Sequence, residues 1–224
     1  MAQTAFAAEA EGNVKLARRL HLAIDGEVRT QQGFSEMERL SLSAALSYRF
    51  NKYVKADAGY MLLYRYIPEE LTGKGNTVSA FWSPRHRYWL SATGTLRAGR
   101  IDLSLRERLQ FTHRPLKYVE KYSGTDGHRM TDEVKPYSDE LMLRSRIAAK
   151  WNIRHCPLTP FVSLEMYNDT RNDMDIDQMR YAIGTDLKLD KRNSLSLTYC
   201  YKDKKDDDDE PGQHIISLSF SHDF

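Results

Sequence analysis

Period-two alternation runs through most of the chain. Near its end, Ile216, Leu218, Phe220, His222 and Phe224 alternate with Ser217, Ser219, Ser221 and Asp223. That is the signature of a strand with one apolar and one polar face. Leu40, Leu42, Ala44, Leu46, Tyr48 and Phe50 alternate in the same way with Arg39, Ser41, Ser43, Ser47 and Arg49. The pattern predicts strands over residues 20–29, 39–50, 54–65, 88–97, 101–112, 140–151, 161–168, 179–189, 195–202 and 214–224, with a weaker segment over 6–14. Many of these strands run to about 10–12 residues, twice the usual globular length and near what a tilted strand needs to cross a bilayer.

The connections alternate in length. Tight ones at residues 15–19, 51–53, 98–100, 152–157 and 190–193 take turns with links that are mostly longer and more polar, including 67–85 and 113–138. Short turns at one end and longer loops at the other are the arrangement of outer-membrane barrels. A soluble sandwich has no reason to segregate loop lengths. The fold class predicted is all-β, an antiparallel up-and-down transmembrane β-barrel of ten to twelve strands. Residues 20–224 form the barrel. Residues 1–19 are an N-terminal segment whose 6–14 stretch lies in the lumen, pairs at the seam, or joins a twelve-strand closure. Counting ten strands from Leu20 puts both termini in the periplasm.

Composition sharpens this picture only in places. The 41% hydrophobic and 29% charged residues and a mean hydropathy of −0.63 would suit a soluble chain, but alternating barrel strands spread their apolar residues thinly. No apolar run approaches the ~20 residues of a membrane helix. Thirteen Tyr would suit interfacial aromatic girdles. The net charge of +2 points to no polyanionic partner and no nucleic acid. Cys156 and Cys200 are not expected to form a disulfide framework. The first ten residues lack a secretory signal, and Ala2-Gln3-Thr4 suits a processed N-terminus.

If each apolar set faces lipid, the opposite set turns inward and carries charge of both signs: Asp25, Glu27, Arg29, Arg39, Arg49, Lys55, Asp57, Arg97, Asp102, Arg106, Arg108, Arg144, Arg146, Lys150, Glu165, Arg180, Asp186 and Lys188. Arg or Lys facing lipid would cost roughly 2–4 kcal/mol each at the midplane. Glu107 breaks the pattern, sharing a face with Ile101, Leu103, Leu105 and Leu109. A bulge that returns it to the interior, or a rim position, is preferred to a protein interface.

Several strings carry a resemblance: Arg39-Leu40-Ser41-Leu42 through Tyr53 and on to Ala58-Gly59-Tyr60, Trp82-Ser83-Pro84-Arg85-His86-Arg87, Leu103-Ser104-Leu105-Arg106-Glu107-Arg108, and Asp207-Asp208-Asp209 before Gly212-Gln213-His214. Together the chain resembles an uncharacterised domain-of-unknown-function family of small outer-membrane barrels of Bacteroidota-type Gram-negative bacteria. The resemblance implies a fold and a location but no reaction. Phe220 and the final Phe224 look like the aromatic assembly signal that barrel-assembly machinery reads.

Candidate chemistry is sparse. No Gly-x-Ser-x-Gly elbow is present, the seven His show no metal-pair spacing, and no cofactor is expected. The acidic run Asp206–Glu210 could hold Ca²⁺ through oxygen ligands, but its spacing fits a solvated loop better. Arg106, Arg108, Arg144, Arg146 and Arg180 gather on neighbouring strands as a basic inner stripe. A salt-bridged filling with Glu165, Asp186 and Asp102 is preferred to a weak anion conduit or a spot for an acidic glycan or phosphate. The expectation is a non-catalytic outer-membrane barrel, either a narrow passive channel or a structural or accessory subunit of an envelope assembly. Its partners would be outer-membrane lipid, the assembly machinery and other outer-membrane proteins. The alternatives are an outer-membrane enzyme acting on lipid or glycan and, third, a soluble lipocalin-like binder.

Overall fold

The structure is a computed structural model that describes residues 3–31, 33–204 and 212–224. Eleven strands form one closed ring: β1 (Gln3–Lys15), β2 (Leu20–Gln31), β3 (Glu36–Arg49), β4 (Val54–Ile67), β7 (Phe81–Ala98), β8 (Ile101–Arg114), β12 (Ser138–Trp151), β13 (Leu158–Asp169), β14 (Asp175–Lys188), β15 (Asn193–Lys204) and β16 (Gln213–Asp223). Five short strands lie in the two long loops: β5 (Glu70–Leu71), β6 (Thr77–Val78), β9 (Lys117–Val119), β10 (Lys121–Tyr122) and β11 (Glu133–Lys135). Closure pairs the backbone polar groups of the ring strand to strand, as a bilayer demands.

Around a ring of antiparallel neighbours the strand directions must alternate, so an odd count forces one parallel junction. Here that junction is β1 against β16, in register from Gln3↔Gln213 to Asn13↔Asp223. The 6–14 stretch is therefore part of a wall strand at the seam. Ala5 and Ala7 turn inward there and pack with Ile215 into the small buried apolar cluster of the described residues. The parallel seam also corrects the expectation that both termini share one side. Gln3 lies at the end where β16 begins, and Phe224 at the other, its N–H donating to the Asn13 carbonyl at 2.9 Å.

Burial is inverted relative to a soluble protein. Leu90, Ile147 and Leu42 are 61%, 59% and 61% exposed, while Arg144 and Glu165 are 9% and 7% exposed. Soluble monomers rarely expose so many large apolar side chains together, and in a transmembrane barrel this belt faces lipid. Ten residues at about 3.3 Å each, tilted about 40°, rise roughly 25 Å, the height of the apolar band in such barrels. Aromatic side chains mark both margins. Tyr48 and Phe50 pack edge to face at 5.0 Å near the tight turns. Tyr60, Tyr88 and Phe111 form an outward ladder with 5.1 and 6.5 Å spacings that climbs from mid-wall at Tyr60 to Phe111 near the long-loop side.

All five tight links fall at one end and the longer ones at the other, which follows from the strand order. The two long loops pair with each other: β5, β6 and β10 make a three-stranded sheet, and β9 with β11 a hairpin. Ser79 N–H donates to the Glu120 carbonyl at 2.9 Å, and Val78 and Val119 are buried beneath.

Strand β7 begins at Phe81, seven residues before the expected start at Tyr88. Pro84, the reason to read a loop there, sits where β7 has outrun β8. Its pairing is to Tyr64 on β4, and β8 first engages at His86↔His113. A residue without an N–H is tolerated on such an edge.

The expected bulge at Glu107 is absent, because β8 runs in uninterrupted register against both β7 and β12. The rim position also fails, since Glu107 is the seventh residue of a 14-residue strand. Its carboxylate faces outward and accepts from Ser145 Oγ at 2.6 Å. Register shifts occur elsewhere: between Arg29 and Thr30 opposite β3, and between Tyr167 and Asn168 opposite β14. Each leaves one acid as the extra residue, Glu38 and Asp177. Both turn into the lumen, the re-aiming for which bulges are used.

Candidate functional site

An eight-stranded barrel is just wide enough for side chains to fill, and eleven strands leave more room. The central lumen holds a cavity of about 430 Å³. Eight arginines line it (Arg29, Arg39, Arg87, Arg106, Arg108, Arg144, Arg146 and Arg180) against three acids, Glu9, Glu27 and Glu165, an excess of five positive charges. All five arginines of the inner stripe are therefore brought together. Towards the long loops lies a second cavity of about 270 Å³, which shares Arg29, Arg39, Arg87 and Arg180 with the first and adds Glu38, Glu140 and Asp177 against Arg65, Arg85 and Lys202. Near the tight turns a third, of about 440 Å³, is lined by Lys15, Arg49, Lys55, His21 and Asp223. Basic residues outnumber acids around the central cavity and the one near the tight turns, while the residues added towards the long loops balance.

Two of the three central acids are engaged in ion pairs, and among the described residues Glu9 accepts only from Ser219 Oγ. Glu27 pairs with Arg29 at 2.9 Å and with Arg39. Glu165 takes Arg106 at 2.6 Å and Arg144 at 3.0 Å, and accepts from the Tyr167 hydroxyl at 3.2 Å. The other two acids expected to neutralise the stripe do not reach it. Asp186 pairs with Lys150 and Ser196, and Asp102 with Arg97 and Asn152. Of the three acids expected to neutralise the stripe, Glu165 alone does so. Among the described residues Arg87, Arg108, Arg146 and Arg180 form no ion pair.

Register makes the crowding plain. Arg108 lies directly opposite Arg144, Arg106 opposite Arg146, Arg29 opposite Arg39, and Arg39 opposite Arg65. Like charges directly opposite one another destabilise a sheet, and a lumen filled only for stability would alternate sign. Aromatic rings hold several guanidinium groups in place. Arg108 stacks over Trp89 at 5.0 Å, and Tyr167 lies between Arg144 at 4.4 Å and Arg180 at 4.7 Å. The Trp89 ring lies on its cross-strand partner Gly59, where any Cβ would penetrate it. Phe161 covers Gly184 in the same manner, a pairing of aromatic and glycine that pins sheet geometry.

Arg87, Trp89, Glu9, Glu38 and Asp177 were not singled out from the sequence. For Arg87 and Trp89 the signal was available, since Ser83, Arg85, Arg87 and Trp89 continue the inward phase of β7. Phe224 stacks edge-on against His222 at 4.5 Å and lies against Gly12 across the seam, while Phe220 faces outward. Cys156 and Cys200 are free thiols. No cluster of three or more potential metal ligands occurs among the described residues, and the acidic run Asp206–Glu210 lies outside them.

Two solved structures show the same fold. The beta domain of the Bordetella autotransporter BrkA aligns with a TM-score of 0.56 at 12% identity, over 92% of this chain and 83% of that one. The translocator domain of the autotransporter NalP from Neisseria meningitidis aligns at 0.59 and 14% identity, over 89% of this chain and 72% of that one. No curated protein matches in sequence. The model of one family, the protein of unknown function DUF2490, matches residues 8–212, and this closed transmembrane barrel belongs to that family.

Proposed function

We propose that the protein is a non-catalytic outer-membrane barrel that works as a narrow, anion-preferring passive channel. The observation that carries this is the set of like-charge arginine pairs directly opposite one another around the central cavity. They cost stability, and rings of arginine are the means by which pores favour anions. The cavity near the tight turns is also lined by more bases than acids, and the one towards the long loops shares Arg29, Arg39, Arg87 and Arg180 with the central cavity, which supports a path over an isolated pocket. By analogy with barrels of this kind, the tight turns face the periplasm and the paired long loops face outward.

Arg108 and Arg146 hold no ion pair, so reversing them breaks no existing one. In planar bilayers the wild-type protein carries a small steady current with anion preference, and Arg108→Glu with Arg146→Glu moves that preference towards cations. An unchanged preference contradicts the reading.

A second reading, an accessory subunit of an envelope assembly, draws on Glu107. Together with Ser145 it forms a polar spot at mid-height on the lipid-facing surface, which a partner protein could cover.

A further inference from the structure

We infer that the central cavity binds a small polyhydroxylated solute carrying two or more negative charges, either a sugar phosphate or a hydroxy-polycarboxylate. This deepens the anion-channel reading and rests on it. Once Glu27 and Glu165 are engaged by their own arginines, four guanidinium groups remain without a carboxylate: Arg87, Arg108, Arg146 and Arg180. The Nε atoms of Arg108 and Arg180, like those of the ion-paired Arg106 and Arg144, are buried and meet no protein acceptor. A single chloride would satisfy little of this array, whereas phosphate or carboxylate oxygens take guanidinium donors two at a time.

Two of the four are already positioned. Arg108 rests on Trp89 and Arg180 on Tyr167, so little side-chain freedom is lost when an anion arrives.

The opposite wall differs in character. Strand β16 stands five places round the ring from β8. It presents Ser217 and Ser219 to the same cavity, beside Thr198 of β15 and the Glu9 carboxylate, which accepts from Ser219 Oγ at 2.8 Å. Hydroxyls facing an arginine arc across about 430 Å³ fit a solute that is anionic on one side and hydroxylated on the other. That volume lies within the ~300–1,000 Å³ range of small-molecule sites.

The test titrates glucose 6-phosphate and citrate into the full-length protein in detergent by calorimetry, with glucose as the neutral control. Saturable binding of one anion or both is expected, with none of glucose. Binding of glucose 6-phosphate alone assigns the phosphate source, and of citrate alone the carboxylate source. Arg108→Gln with Arg146→Gln, confirmed as folded by heat-modifiable gel migration, weakens binding by about tenfold or more. Ser217→Ala with Ser219→Ala weakens glucose 6-phosphate but not inorganic phosphate. No saturable binding of either anion, or undiminished binding in the arginine variant, overturns the site. Bilayer recordings separate the two readings. An anion-selective current without binding removes the site and leaves the channel, and binding without current removes the channel and leaves the site.

Discussion

Glu165→Gln removes one charge and almost no volume, and its effect follows from the geometry. The carboxylate accepts from Arg106 at 2.6 Å, twice from Arg144 at 3.0 Å and from Tyr167 at 3.2 Å, and its side chain is only 9% exposed. Two opposite charges at ~4 Å attract by about 4 kcal/mol in an effective dielectric of ~20, so the two pairs are worth roughly 8 kcal/mol before desolvation. The desolvation of Glu165 itself offsets several kcal/mol of this. Gln keeps some of the hydrogen bonds but strands two arginines beside Arg108 and Arg146. The net loss expected is about 3 kcal/mol, the range for breaking a buried pair from one side. Reversible urea unfolding in micelles, followed by the heat-modifiable gel shift, measures it. Adding Arg106→Gln removes one of the stranded charges and recovers at least about 1 kcal/mol. A loss below about 1 kcal/mol for Glu165→Gln refutes the reasoning, because it would mean that bulk water already screens this lattice.

Three further outcomes follow from other parts of the wall. Gly59→Val drives a side chain into the Trp89 ring and costs about 2 kcal/mol by overpacking, with a change in tryptophan emission. Unaltered stability and emission would show that the ring does not rest there. Glu107→Leu replaces a lipid-facing acid and stabilises a free-standing barrel by about 1–2 kcal/mol. Loss of a co-purifying partner on the same change would favour the subunit reading instead. Asp190 caps the β14–β15 turn by accepting from the N–H groups of Arg192 at 2.7 Å and Asn193 at 2.8 Å and from the Asn193 side chain at 2.6 Å. The Asn193 side-chain bond, with the two backbone bonds, holds its carboxyl below the usual range. The stabilisation is therefore complete above the unfolded-state value near 4 and is lost as pH falls through the folded one. Asp190→Ala should flatten the acid limb of the stability profile, and an unchanged limb would exclude the turn as its source.

The barrel was legible because two independent signals agreed: period two along each strand, and loop lengths that alternate from link to link. What failed did so for identifiable reasons. Pro84 hid the start of β7, since a proline inside an alternating run is ambiguous until the length of the neighbouring strand is known. The β1 strand has Ala on both faces (Ala5, Ala7, Ala8 and Ala10), so its amplitude is too low to say which way it pairs. The bulged acids could have been found. Glu38 next to Arg39, and Asp177 next to Gln178, are polar neighbours where a strict alternation would place one apolar residue.

The site was half legible. Alternation put the right arginines inside, but a net charge of +2 concealed the excess of five positive charges around the central cavity. Partner choice across non-adjacent strands was beyond the sequence. In register Glu165 faces Arg146 and Arg180, yet its short contacts go to Arg144 and to Arg106 two strands away. Barrel stagger and side-chain reach decide that, and no local pattern encodes them.

The central claim is that the lumen passes anions in preference to cations. The reversal potential of the wild-type protein across a planar bilayer with a KCl gradient addresses it most directly. A steady current that reverses near the chloride equilibrium potential is the result predicted here. Reversal near the potassium potential, or a membrane that stays silent with correctly folded barrel inserted, would contradict it.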